Sequence, residues 1–168
     1  MNIVEYKESL QLPLRQASLC FFIKDGDVLL AMKKRGFGKG RWNGVGGKPN
    51  SGENIESAAK REAREEIGVT PKSLDWVATL NFYFPHNSDR NQQVVVFFTE
   101  DWDGEPTETE EMSPKWFKRD QLPFDSMWPD DIHWLPLVFG GKRLEAEFLF
   151  GENDVLLDLR LSEIKSNV

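Results

Sequence analysis

Residues 36–52 hold seven glycines, at positions 36, 38, 40, 44, 46, 47 and 52. Regular elements do not tolerate that density, because each glycine carries backbone freedom that a helix or strand must freeze out. The stretch reads as a loop whose backbone approaches its neighbours closely. It runs into a segment of opposite character: Ile55–Ile67 (IESAAKREAREEI) is rich in alanine and long charged side chains, which favour a helix. Ser51 or Asn54 can cap its start, and Gly68 can stop it. Ile55, Ala59, Ala63 and Ile67 recur at helical spacing, so one face of this helix packs on a core.

Around that unit, strand and helix signals alternate. Gln16–Lys24 and Asp27–Lys34 are apolar runs joined by Asp25-Gly26, a hairpin turn. Leu74–Phe84 and Gln92–Thr99 read as strands, and Lys115–Lys118 as a short one. Asp130–Phe139 reads as a second helix, with Pro129 near its first position and Gly140-Gly141 ending it. Pro136 must kink it or deform its first turns. Glu145–Phe150 and Val155–Leu161 alternate about the turn Gly151–Asp154, a second hairpin. Interleaved strands and helices define an α/β or α+β class with a mixed sheet. Residues 1–14 are polar and mixed, and read as an N-terminal extension that packs as an edge or stays loose. Residues 15–168 then form a single domain.

With 168 residues the chain has the length of one domain, and 39% hydrophobic residues supply a core without disulfides or structural metal. The formal net charge of −7 argues against polymeric nucleic acid or an anionic membrane as a partner. A small phosphorylated ligand that arrives with a metal ion remains open. Seven acids lie within residues 100–111, which contain no Lys or Arg, so this segment accounts for the whole surplus. Cys20 is the one cysteine, and His86 and His133 are the two histidines, so neither an intramolecular disulfide nor a Cys/His zinc pattern can form. The N-terminus has no apolar signal-peptide core, and no apolar run approaches a membrane span. A cytoplasmic setting is expected.

Glu62, Glu65 and Glu66 are three and four residues apart and project from one helix face. Carboxylates so clustered repel one another without a partner. A hard divalent cation such as Mg²⁺ relieves that repulsion, prefers oxygen ligands and takes more of them from substrate phosphates. Water activated by such a metal and a carboxylate base is a nucleophile for phosphorus. Gly47, Glu53 and the run Arg61-Glu62-Ala63-Arg64-Glu65-Glu66-Ile67-Gly68-Val69 resemble the signature of the Nudix hydrolases at every fixed position. That signature is Gly-x5-Glu-x7-Arg-Glu-U-x-Glu-Glu-x-Gly-U, with U apolar. The resemblance implies an α/β/α sandwich with a mixed sheet, and metal-dependent cleavage of a nucleoside diphosphate linked to another group. It implies that Glu62, Glu65, Glu66 and Gly47 hold Mg²⁺, with Mn²⁺ as a possible substitute, and that Arg61 orients the carboxylates by salt bridges. The general base is left open between Glu62 on the helix and Glu110 or Glu111 on the acidic segment.

The resemblance extends further. Met32–Gly44 (MKKRGFGKGRWNG), Trp116-Phe117 and Gln121–Asp131 (QLPFDSMWPDD) are similar to the MutT-homologue branch that hydrolyses oxidised purine nucleoside triphosphates. The similarity runs from about Ser18 to Ile164. It implies that Asn43, Asp130 and Asp131 read the oxidised base, that Trp128, Phe37 and Phe82 wall or stack on it, and that Ser18 and Lys33 line the same pocket. Read without the resemblance, Trp128 and Phe37 are equally core aromatics, Asp130-Asp131 an acidic pair favoured by a helix dipole, and Asn43 a turn residue. Six basic and no acidic residues in 28–52 form either a solvated face or a surface that steers a triphosphate. Residues 84–93 (FPHNSDRNQQ), His133 and Leu135 depart from that branch. No role is assigned to His86 or His133. The resemblance implies a monomeric, metal-dependent pyrophosphohydrolase that cleaves oxidised purine nucleoside triphosphates of the 8-oxo-dGTP and 2-hydroxy-dATP type to the monophosphate and pyrophosphate. The rivals are another Nudix substrate or a module that binds nucleotide without hydrolysis.

Overall fold

Asp25 and Gly26 both take positive φ, 53° and 82°, as a two-residue hairpin turn requires. They fold β1 (Arg15–Lys24) back onto β2 (Asp27–Lys33) in antiparallel register. The pairing ends at Phe22 and Leu29, and the glycine loop enters beyond it. Its strand β3 (Trp42–Asn43) pairs with β2, and Val45 bridges to Cys20 of β1. Only glycine allows this insertion: a Cβ on Gly46 would collide with the Ser18 carbonyl, and one on Gly44 would lie 2.7 Å from the Cys20 oxygen.

The computed structural model describes residues 1–11 and 13–165. The remaining elements are α1 (Ile3–Glu8), α2 (Ile55–Ile67), β4 (Thr70–Pro71), β5 (Asp75–Tyr83), β6 (Gln92–Thr99), β7 (Trp102–Asp103), β8 (Met112–Lys118), α3 (Asp131–Phe139), β9 (Leu144–Phe150) and β10 (Leu156–Glu163). Eight strands form one mixed sheet in the order β10-β9-β5-β6-β1-β2-β3, with β8 also paired to β2. The β1–β6 and β5–β9 pairs are parallel and the others antiparallel. β4 and β7 make a separate two-stranded ribbon.

Each sheet face has its own core. Ala59, Ala63 and Ile67 of α2 pack on Cys20, Phe22, Leu29 and Ala31. The small alanines let the helix lie close to the strands. Asn54, rather than Ser51, caps α2 by accepting from the Ser57 N–H at 2.8 Å, a contact worth about 1 kcal/mol. Gly68 closes the helix at φ 76°. On the opposite face, Trp134, Leu135 and Val138 of α3 pack on Phe21, Leu30, Ala78 and Val96. These layers are the expected sandwich. Pro136 is exposed and lies inside α3, which continues through it to Phe139.

The reading of residues 1–14 as an edge or a loose end needs correction. Residues 3–8 form α1, begun by a capping box between Asn2 and Glu5. Ile3 and Tyr6 are buried against Tyr83 and Leu149.

Candidate active site

The loop before α2 is tied to the helix most extensively by Arg61. Arg61 uses all five of its N–H donors. Nε and Nη2 donate to Glu53 at 2.9 Å, Nη2 also to the Lys48 carbonyl at 3.1 Å, and Nη1 to Glu62 at 3.0 Å and Glu65 at 3.1 Å. Glu53 in turn accepts from the Asn50 N–H at 3.0 Å. Its carboxyl is held below the usual carboxylate range, chiefly by these Arg61 hydrogen bonds. The planar guanidinium fork is what permits such multiple pairing.

The carboxylates of α2 differ sharply. Glu65 is half exposed and turned to Arg61. Glu62 lies against Gly47 so closely that a Cβ there would sit 2.6 Å from its carboxyl carbon. Burial raises the pKa of Glu62, Arg61 opposes that, and the charges of Glu65 and Glu111 add to it. Glu66 is buried and accepts from the Gly46 N–H at 3.2 Å. Burial first, then the charge of Glu62, pushes its pKa up to about 8, with Glu111 contributing. Like charges gathered in poor solvent favour either a proton or a cation between them.

Among the described residues, no three metal-ligating side chains converge on one point, so the expected three-glutamate set is not preassembled. Arg61 holds both Glu62 and Glu65 in ion pairs. The Gly47 carbonyl accepts from the Ser18 N–H at 2.8 Å and the Ser18 hydroxyl at 3.2 Å. Ligation by that carbonyl would require the hydroxyl to move. The donor set still suits a hard divalent cation. It is all oxygen, Glu62 is cradled on a glycine, and Glu66 is buried in repulsive company. The charge of Glu111 reaches both Glu62 and Glu66.

A cleft of about 350 Å³ runs from Glu66, Gly47 and Lys48 to Trp128, Asp130 and Asp131. Ser18, Lys33, Phe37, Asn43 and Phe82 line it as well, so loops and strands far apart in the chain meet there. Phe37 lies on the rim, 4.9 Å from Trp128. Phe82 stacks on Phe148 at 5.5 Å. The Asn43 amide oxygen accepts from the Gly44 N–H at 2.8 Å, so it makes the turn contact and still lines the cleft.

Asp130 and Asp131 are fully buried at the start of α3. Asp130 Oδ2 accepts from Trp134 Nε1 at 2.9 Å. Asp130 Oδ1 and Asp131 Oδ2 have no hydrogen-bond partner among the described residues. Burial raises both carboxyls. Asp131 rises well above the ordinary range because the charge of Asp130 adds to the desolvation. Asp130, which the indole N–H favours as an anion, is the natural acceptor of the pair, and Asp131 the proton carrier.

Several neighbours were not legible as site residues. Phe84 and Phe150 extend the aromatic wall begun by Trp128, with Phe84 stacked on Phe150 at 5.3 Å. Arg41 lies 4.0 Å over the Trp128 ring and pairs with Asp154 at 3.2 Å. Its Nη1 is buried without a partner among the described residues. Gln92 adds a polar group to the same wall. The basic run is also partly spoken for. Lys34 pairs with Glu108 at 2.6 Å and Arg35 with Glu111 at 3.4 Å. Two of the six basic residues therefore pair with the acidic segment. Only Lys33 and Lys48 of that run, with Arg41, line the cleft.

A mixed-sheet sandwich with a carboxylate-bearing helix at a nucleotide-sized cleft defines a class of hydrolase, and the NUDIX domain model matches residues 13–138. The chain belongs to the Nudix family. It is 43% identical to the oxidized purine nucleoside triphosphate hydrolase of Danio rerio over 148 residues, 88% of this chain and 94% of that protein. It is 44% identical to the Mus musculus protein of the same description over 152 residues, 90% of this chain and 97% of that protein. The solved MutT protein of Bacillus halodurans superposes with a TM-score of 0.79 at 26% identity, covering 89% of this chain and 98% of its own. Among the described residues, no helix is long and apolar enough to cross a membrane.

Proposed function

We propose that this Nudix hydrolase acts on oxidised purine nucleoside triphosphates of the 8-oxo-dGTP and 2-hydroxy-dATP type, releasing the monophosphate and pyrophosphate. The supporting observation is the continuity of the cleft: orphaned carboxyl oxygens of Asp130 and Asp131 lie at one end and Glu66 at the other. The descriptions of the fish and mouse relatives name this substrate class for those proteins.

In this reading the base enters between Phe82, Trp128 and Phe37, where aromatic faces accept a purine. Asp131 donates its proton to the base edge, and Asp130 and Asn43 supply complementary polar groups. Oxidation changes which edge atoms donate and accept. A mismatched base leaves buried polar groups unpaired and is rejected strongly. The triphosphate lies toward Lys33 and Lys48. Glu62 and Glu66, with Glu65 when released from Arg61, would hold Mg²⁺ or Mn²⁺, which when bound offsets the negative charge of the phosphates and polarises a phosphoryl oxygen. A water oxygen forms the new bond to phosphorus, and its proton passes to a carboxylate base. A P–O bond between the α- and β-phosphates breaks, and pyrophosphate leaves with the electron pair. Glu111 is the favoured base from the loop, with Glu62 as the alternative from the helix. Arg61 positions without touching substrate. A monomer in the cytoplasm, acting on the nucleotide pool, completes the proposal.

The test is hydrolysis of 8-oxo-dGTP, 2-hydroxy-dATP, dGTP and a sugar nucleotide with Mg²⁺ and with chelator, products resolved by chromatography. The expected result is metal-dependent monophosphate and pyrophosphate, with kcat/KM favouring the oxidised nucleotides by about tenfold or more. Equal rates on dGTP would refute the selectivity, and absence of products would refute the activity.

A further inference from the structure

We propose that α1, which precedes the residues matched by the family model, buttresses the base pocket from the opposite face of the sheet and sets how tightly the pocket holds its base. The proposal rests on the reading of the cleft as a nucleotide site. Tyr83 and Phe84 are consecutive at the end of β5, and in extended backbone consecutive side chains point to opposite faces. Tyr83 faces α1, where Tyr6 meets it edge-on at 5.9 Å. Phe84 faces the cleft, where it contacts Phe37, Trp128 and Phe150.

A buried hydrogen-bond chain joins the two sides around the strand end. The Phe84 N–H donates to Asn91 Oδ1 at 2.6 Å, and Asn91 Nδ2 donates to the Tyr6 hydroxyl at 2.9 Å. Asn91 closes the turn of residues 84–91, so Tyr6 restrains the turn as well as the Phe84 backbone. From the same turn, Arg90 lies 4.3 Å over the Phe37 ring on the pocket rim. The helix itself is anchored: Ile3 is fully buried, and its N–H donates to Asp158 of β10 at 3.0 Å. With no Tyr6 hydroxyl, Asn91 loses the acceptor that fixes its amide, and the Phe84 wall gains freedom that nucleotide binding must then remove.

Tyr6→Phe is the direct test, because it keeps the ring on Tyr83 and deletes only the acceptor. With the oxidised nucleotide, KM should rise about three- to tenfold while kcat changes less than about twofold. Amide hydrogen exchange at Phe84, measured without nucleotide, should accelerate by about tenfold. Ile3→Ala, which loosens the whole helix, should shift both readouts the same way. A lower melting temperature with KM and Phe84 exchange unchanged would mark α1 as merely structural and overturn the proposal. Should the wild-type protein hydrolyse no nucleotide, the substrate reading fails. Phe84 exchange in Tyr6→Phe then decides the buttress by itself, faster exchange sustaining it and unchanged exchange overturning it.

Discussion

Glu66 exposes a conflict between stability and function that Glu66→Gln can measure. Its carboxyl lies buried beside Glu62 and Glu111, which lifts its pKa from an ordinary 4.5 to about 8. For an acid raised on folding, stability is fully present below 4.5 and is lost as pH rises toward 8, because the unfolded chain ionises first. One pKa unit corresponds to about 1.4 kcal/mol, so the full penalty is at most about 5 kcal/mol. Local relaxation and water entry reduce this to roughly 2–4 kcal/mol at pH 7.5. Glutamine keeps the acceptor for the Gly46 N–H and removes the charge. In chelator, urea unfolding should therefore show Glu66→Gln more stable than wild type by about 2–4 kcal/mol at pH 7.5 and by almost nothing at pH 4.5. Added Mg²⁺ should stabilise the wild type by mass action and narrow the gap. Turnover of the variant should fall by orders of magnitude while base binding persists. A variant no more stable than wild type at pH 7.5, or a gain independent of pH, would refute the electrostatic account. Near-normal turnover would remove Glu66 from the metal site.

Asp131→Asn should behave similarly in stability. The wild type loses ground as pH rises above the ordinary carboxyl range, so the variant's advantage in melting temperature should grow from pH 4 to pH 7.5; the reverse trend would sink the buried-pair reading. Asp130→Asn should lower kcat/KM for an oxidised purine by about 10- to 100-fold and for dGTP by much less, as seen in parallel progress curves; equal losses would mean the pair does not read the base. Arg61→Lys keeps one charge and loses the fork to Glu53, Glu62, Glu65 and Lys48, so kcat should drop about 100-fold with KM within about threefold. Unchanged kcat in that variant would show that the carboxylates need no such positioning. Trp128→Ala removes the ring on which Arg41 rests and should raise KM about tenfold or more with little change in kcat in steady-state assays, whereas a kcat loss alone would place Trp128 outside base binding.

The carboxylate helix was legible in the chain because its information is local. Helical spacing groups Glu62, Glu65 and Glu66, the alanines choose the buried face, and Asn54 and Gly68 mark its ends. The Asp25-Gly26 turn and the density of glycines before α2 are equally local consequences of backbone sterics. Spacing, however, does not say which of several aligned carboxylates is buried. Glu65 and Glu66 are neighbours, yet one is half exposed on Arg61 and the other lies under the glycine loop. That difference follows from where the sheet lies beneath the helix.

The pocket beyond the helix depends on contacts between distant segments. Arg41 meets Asp154, Lys34 meets Glu108, and Phe84 meets Phe150 only after β5 has paired with β9 and β2 with β8. A run of lysines and arginines therefore reads as a solvated or steering face until the acidic segment is laid against it. Helix α1 is the extreme case. Six residues are too few to hold a helix in water on propensity and a capping box alone, so residues 1–14 read as an edge or a loose end. The apolar seat under Ile3 and Tyr6 makes the helix stable, and that seat is assembled from Tyr83 and Leu149, on strands that the linear sequence sets far from it. Backbone preference and side-chain periodicity, both local, were enough to specify the carboxylate helix and its ends. Burial, pairing and the shape of the cleft were decided by tertiary register, because only register brings distant side chains within contact distance.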